Sequence, residues 1–430
     1  MKKYLFFFTV FFASISPIIA NPLVINEESA VDLAVAQNYE LKSSYIELEK
    51  TKDQYENSWN VLLPDLSFET SITNTNGIVD TSVDNSLTLT SSFVSSVSLN
   101  KSSRYYMEYD KLSYEAQNIL YQYDQEALKL EVKKAYYYLI AYKQSLQLEK
   151  MNLDLAYKRY IQMEMNYKYG LVSELDVLES QSTYENLKPS YTSANTSYET
   201  QLMAFKALLG IDIDQEIELE GGLDIEILTL NSDKLISNYI NNRLDLVSAQ
   251  KSIEIEEILL DIEKASDLYP IFNLSLDYSV YNSDLFDSDW SDSVSLNATI
   301  SIPINGYIDG SEEDIVISDA KRCVNQAQLS YQNTLEEAKI EIETLILEIN
   351  GYKESMEISE IAIDISQKTY DANVEAYELG TCELLNLEEA QNTLFSAKQD
   401  LLTSQYNYLS AILDLEYALN VSSDDIKSVN

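Results

Sequence analysis

Carboxylates are the one abundant class of chemically capable side chain in this sequence: 71 aspartates and glutamates stand against 29 lysines and arginines, with no histidine and two cysteines in 430 residues. Paired carboxylates can share acid and base roles, yet among so many no pair is singled out. The absence of histidine removes imidazole catalysis, the serine and cysteine triads that depend on it, and most zinc or iron sites. No GxGxxG, phosphate loop or CxxC occurs. Cys323 and Cys382 lie near opposite ends of one long predicted helix, roughly 85 Å apart at about 1.5 Å per residue, so they cannot pair within one chain. They read as incidental thiols. The chain is not expected to be an enzyme or to hold a cofactor or metal.

Collectively the carboxylates set a field. The formal net charge is −42, about −44 once Lys2 and Lys3 are removed with the leader described next. Such a surface repels nucleic acid and anionic lipid. It fits either a well-solvated surface or an acidic lumen that prefers cations.

The leader is residues 1–20. Lys2 and Lys3 precede an apolar run from Tyr4 to Ala13 and a small-residue region ending Ile18-Ile19-Ala20, the pattern of a secretory signal cut after Ala20. No later run of about 18 apolar residues occurs, so no transmembrane helix is expected. No cysteine beside the cut offers a lipid anchor.

The elements that must position any site are long helices. From about Ser102 to Gly170 there is no proline and only the terminal glycine. Leu128, Val132, Ala135, Leu139, Tyr142, Leu146, Leu153, Ala156, Tyr160, Met163 and Tyr167 recur at alternating steps of four and three, with Glu149 the polar interruption. That heptad repeat marks a helix packed along a coiled-coil seam, and at about 1.5 Å per residue it is roughly 100 Å long. A second such run, from about Ser311 to Gly380, carries Leu335, Ala338, Ile342, Leu345, Ile349, Tyr352, Met356 and Ile363. Both end at a glycine suited to a left-handed helix terminus.

Between helices the period changes to two. Leu66, Phe68, Thr70 and Ile72 alternate with polar residues after Pro64, and Leu87, Leu89, Phe93, Val97 and Leu99 do so after a polar loop from Asn74 to Asn85. The same plan restarts near Ser232. Pro64 and Pro270 are 206 apart, Gly170 and Gly380 are 210 apart, and Gly210 and Asn420 are 210 apart, so the chain is an internal duplication. The first copy, 21–230, has strands 65–73 and 86–99, a long helix 102–169, a returning helix 172–209 carrying Pro189 as an expected irregularity, and a connector 211–230. The second, 231–430, has strands 271–281 and 293–302 flanking an acidic loop from Asn282 to Asp292, a long helix 311–379 and a returning helix 382–419.

Strands of nine to fourteen residues with one apolar and one polar face fit an outer-membrane barrel. A sheet in hydrocarbon must close, and four strands cannot close around anything, so several chains must share one barrel; three would supply twelve strands.

With the duplication and paired turns in view, the chain resembles the TolC family of outer-membrane efflux ducts. The stretch Tyr377-Glu378-Leu379-Gly380-Thr381 through Phe395-Ser396-Ala397-Lys398-Gln399 and Tyr406-Asn407-Tyr408-Leu409 is similar to that family's second periplasmic hairpin. The resemblance covers essentially the mature chain. It implies a mainly α fold with a membrane β-barrel portion: a homotrimer whose coiled-coil helices form an α-helical barrel joined to a 12-stranded transmembrane barrel in the bacterial outer membrane, four strands from each chain. A periplasmic adaptor and an inner-membrane transporter would dock at the tunnel's periplasmic end. The adaptor-contacting turns map to Gly170, Leu171, Gly380 and Thr381. The entrance network maps to Asp176, Glu179, Tyr377, Cys382, Asn386 and Glu389. Two positions depart from the family pattern: Cys382 stands where an arginine latch residue would be, and Asn386 where a ring aspartate would be. The resemblance favours an exit duct for small molecules; the duct of a type I protein secretion system is the alternative, and a periplasmic structural coiled coil a remote one.

Overall fold

In the computed structural model, residues 22–75, 86–223, 225–282 and 289–428 are described. The expected leader, residues 76–85 of the first loop and residues 283–288 of the acidic loop lie outside them. The first copy comprises β1 (Leu23–Ile25), α1 (Glu27–Gln37), α2 (Tyr39–Glu56), β2 (Asp65–Thr75), β3 (Ser86–Leu99), α3 (Ser102–Lys168), α4 (Glu174–Leu208) and β4 (Ile217–Leu219). The second comprises α5 (Ser232–Tyr239), α6 (Leu244–Leu268), β5 (Ile271–Asn282), β6 (Trp290–Ser301), α7 (Glu312–Glu378), α8 (Leu384–Leu419) and α9 (Ser423–Ser428). The long helices α3 and α7 are each 67 residues and unbroken. Pro189 does not interrupt α4, which stays helical over its 35 residues.

Two compact units divide these elements, and neither coincides with a sequence copy: one gathers residues up to 38, 132–224 and 362–406, the other 39–131, 225–361 and 407–430.

In the second of these, β2, β3, β5 and β6 form a four-stranded antiparallel sheet in that order. The register sorts the side chains completely, because residues opposite each other share a face and neighbours along a strand do not. One face carries Leu66, Phe68 and Ile72 of β2, Leu89, Phe93 and Val97 of β3, Leu274, Leu276 and Tyr278 of β5, and Val294, Leu296 and Ile300 of β6. The opposite face is serine, threonine, asparagine and acid almost throughout. The apolar face is uncovered: Phe68 is 72% exposed and Leu296 69%. Where the sheet meets the helices, the Lys101 ammonium sits 3.8 Å from the centre of the Tyr269 ring. Deeper in this unit Arg243 grips Asp245 with two hydrogen bonds and Glu341 with a third at 2.7 Å. The buried Tyr408 hydroxyl donates to the Glu226 carbonyl and accepts from the Leu228 amide.

In the other unit, Leu139, Ala156 and Met163 of α3 are buried with Leu387, Leu394 and Ala397 of α8. Tyrosines line the α3–α4 contact: ring centres of Tyr157 and Tyr184 lie 5.0 Å apart, those of Tyr142 and Tyr198 6.1 Å. The segment after α4 contributes β4, which pairs in parallel with β1. Three residues are too few for alternation to reveal a strand.

Four helix ends share one geometry. After α3, Gly170 adopts φ 73°, its N–H reaches the Tyr167 carbonyl, and the Leu171 N–H reaches back to Asn166. Gly380 after α7, Gly210 after α4 and Asn420 after α8 repeat the pattern of positive φ and paired backbone bonds. This Schellman closure satisfies orphan carbonyls at the cost of one left-handed residue. The 210-residue offset seen in the sequence is therefore an offset between matching helix ends.

Candidate functional site

The residues singled out by sequence gather at the two hairpin turns, α3–α4 and α7–α8, both within one compact unit. The turn tips are apolar and uncovered. Tyr169 is 81% exposed, Leu171 72% and Leu379 79%. Gly170 and Gly380 are equally open, with nothing within 4 Å of where a Cβ would stand. Thr381 is exposed as well, its hydroxyl donating to the Ala376 carbonyl of its own turn at 3.0 Å.

Asp176 is committed to its own helix. Ser173 caps α4, its Oγ accepting from the Asp176 amide, while the Asp176 carboxylate accepts from the Ser173 N–H and Oγ–H at 2.8 Å each. That capping box satisfies two orphan donors and places negative charge where the helix dipole favours it. Tyr377 is half-buried on α7, and its hydroxyl donates to Met163 Sδ at 3.3 Å. Burial pushes the Tyr377 phenol up; the charges of Asp176 and Glu388 push the same way and Arg159 opposes them. The Cys382 thiol lies 3.3 Å from Asn373 Oδ1. Glu179, Asn386 and Glu389 are exposed.

Directly behind the turns lies a polar seam that the sequence reading missed. Ser145, Asn152 and Arg159 of α3, seven residues apart, face α8. Arg159 Nη1 donates to Gln391 Oε1 at 3.0 Å; Gln391 Nε2 in turn donates to Asn152 Oδ1; and Gln399 Nε2 donates to Ser145 Oγ at 3.2 Å. From α4, Thr183 donates to Glu388 Oε2 at 3.1 Å. Burial raises the Glu388 carboxyl, against the lowering pull of the Thr183 hydrogen bond and the Arg159 charge, and Glu179 adds to the rise. A cavity of about 10 Å³ lined by Asn152, Arg159, Ser180, Thr183, Glu388 and Gln391 lies within the seam, about the room one water needs. The available signal was the seven-residue polar spacing beside the apolar heptad. Arg159 is also one of only four arginines, with Arg104, Arg243 and Arg322.

The arrangement offers hydrogen-bonded side chains that hold α3, α4 and α8 together, and apolar tips that present themselves outward. Among the described residues no cluster of potential metal ligands occurs, and no helix is long and apolar enough to cross a membrane.

The sequence is similar to outer membrane protein TolC of Salmonella enteritidis, 22% identical across 91% of this chain and 82% of that one. It resembles the CmeC outer membrane channel of Campylobacter jejuni with a TM-score of 0.77 at 18% identity, covering 94% of this chain and 89% of that one. It resembles CusC with a TM-score of 0.75 at 17% identity, covering 92% of each. The sequence model of the outer membrane efflux protein family matches twice, at residues 30–211 and 235–421. The chain belongs to the outer membrane efflux protein family, and is thus an outer-membrane channel and not an enzyme.

Proposed function

We propose that three copies of this chain close one twelve-stranded barrel in the outer membrane and one helical tunnel below it, the exit duct of a tripartite efflux system. The four-stranded sheet carries this reading: its uncovered apolar face suits lipid, and among the described residues its outer strands β2 and β6 each have one edge with no partner strand. Such edges are not tolerated in hydrocarbon, where each unpaired backbone group costs several kcal/mol. A copy on either side would pair both edges, and three copies exceed the roughly eight strands whose interior side chains alone fill.

The tunnel's periplasmic end is the pair of turns. Gly170, Leu171, Gly380 and Thr381, with the exposed Tyr169 and Leu379, form the surface on which a periplasmic adaptor docks, handing over small molecules from an inner-membrane transporter. Apolar side chains this exposed are suited to covering by a partner. Asp176, Glu179, Tyr377, Cys382, Asn386 and Glu389 line or brace the entrance. Cys382 cannot supply a guanidinium, so the cation near Tyr377 and Glu388 is Arg159. The excess of carboxylates favours passage of cationic over anionic cargo.

Detergent-extracted protein tests the assembly. Light scattering should give about 140 kDa of protein, three times the 49.0 kDa chain less its 20-residue leader, and negative-stain images should show a rod. A monodisperse monomer would overturn the reading. For docking, Leu171→Glu with Leu379→Glu should abolish complementation of an efflux-deficient strain while leaving the trimer intact.

A further inference from the structure

Glu149 occupies an apolar position of the α3 heptad, within the α3–α8 seam. Its Oε2 is buried and has no hydrogen-bond partner among the described residues. The seam offers it only the Gln399 amide, which also donates to Ser145. Glu388, lower in the same seam, has the Thr183 hydroxyl and the Arg159 charge to offset its burial. Burial pushes the Glu149 carboxyl up, and the Gln399 amide opposes that rise. Lys143 and Lys150 lie near it on α3, and Lys398 and Asp400 flank Gln399 on α8.

We propose that Glu149 makes the α3–α8 seam a proton-operated latch. As a neutral acid the carboxyl gains a donor and can sit against Gln399 with the helices closed. As a carboxylate it leaves a buried charge with one shared donor, and the charge is relieved when α8 moves away from α3 and water enters. A buried acid of this kind holds its proton more tightly in the closed seam than in the open one. The closed seam is therefore fully favoured below the ordinary carboxylate range and loses ground as pH rises through the raised value of the closed state. Acid closes the latch and neutral pH releases it. Each unit of difference in proton affinity between the closed and open seams changes their ratio about tenfold. In the duct proposed above, which this inference rests on for its consequence, release of α8 widens the periplasmic entrance.

The test uses the full mature protein, purified in detergent and reconstituted in planar bilayers, as wild type, Glu149→Gln and Gln399→Leu. Hydrogen-exchange protection of residues 391–402, referenced to intrinsic rates, should fall between pH 5 and pH 8 in the wild type. It should stay at the acid level in Glu149→Gln and fall further in Gln399→Leu, which removes the remaining donor. Channel open probability should rise over the same interval in the wild type and not in Glu149→Gln. Equal pH dependence of protection in wild type and Glu149→Gln would overturn the latch. Absence of conductance in every variant, with the protection difference intact, would leave the latch standing and remove the duct.

Discussion

Arg159 Nη1 donates to Gln391 Oε1 at 3.0 Å, so a guanidinium on α3 is held by an amide on α8, 232 residues along the chain. The same arginine lowers the Glu388 carboxyl, and Gln391 passes the contact on to Asn152. Removing one member of a half-buried charged set leaves the others desolvated and unpaired, which costs more than the bond itself contributed. Arg159→Met keeps the stem and deletes the charge. It should lower stability by about 1.5–3 kcal/mol, the range for hydrogen bonds to charged groups. The loss should depend on pH. Without Arg159 the Glu388 carboxyl rises further, so the folded form binds a proton that the unfolded form releases. That contribution is intact below the ordinary carboxylate range and disappears as pH climbs through the raised folded value. Thermal unfolding at pH 4 and pH 8 should show the larger deficit at pH 8; equal deficits would mean that Arg159 does not act on Glu388.

The matching helix ends predict a ranking. Gly170, Gly210 and Gly380 all hold positive φ, so alanine at each carries a left-handed strain of about 1–2 kcal/mol. At Gly170 and Gly380 nothing else obstructs a side chain, whereas at Gly210 a Cβ would stand 2.6 Å from the Gln37 carbonyl oxygen. Gly210→Ala should therefore exceed Gly380→Ala by a further ~1–3 kcal/mol of overpacking. Gly380→Asn should be milder than Gly380→Ala, since asparagine tolerates this region and already occupies it at Asn420. Urea denaturation of the four variants gives the order directly, and Gly210→Ala no worse than Gly380→Ala would contradict the close approach.

The parts of this fold that declared themselves in sequence are those that repeat a local rule. The heptad of α3, the alternation of β2, β3, β5 and β6 and the glycines at helix ends each follow from periodicity or backbone conformation within a few residues. The capping box of Ser173 and Asp176 is equally local, although Asp176 was expected only in the entrance network. The α3–α8 seam did not declare itself, because its pairs join residues more than 200 apart and a polar side chain on a long helix usually faces water. Glu149 is the intermediate case. Its position broke the apolar heptad visibly, yet only the packed structure distinguishes a solvated glutamate from one whose Oε2 is buried.

The two faces of the sheet predict opposite responses to the same substitution on adjacent residues. Val294 of β6 lies opposite Tyr278 on the apolar face, while Ser295 lies opposite Asp277 on the polar one. In a barrel, an arginine at the lipid face near mid-membrane costs about 2–4 kcal/mol, while lumen positions accept charge. Val294→Arg should thus reduce the folded, heat-modifiable form recovered in the outer-membrane fraction, with protease-sensitive chain accumulating in its place. Ser295→Arg, on the polar face opposite Asp277 that the proposed barrel turns to its lumen, should assemble normally and reduce cation preference in bilayer recordings. The reverse outcome, Ser295→Arg failing to insert while Val294→Arg inserts, would turn the sheet inside out and place its apolar face against protein instead of lipid.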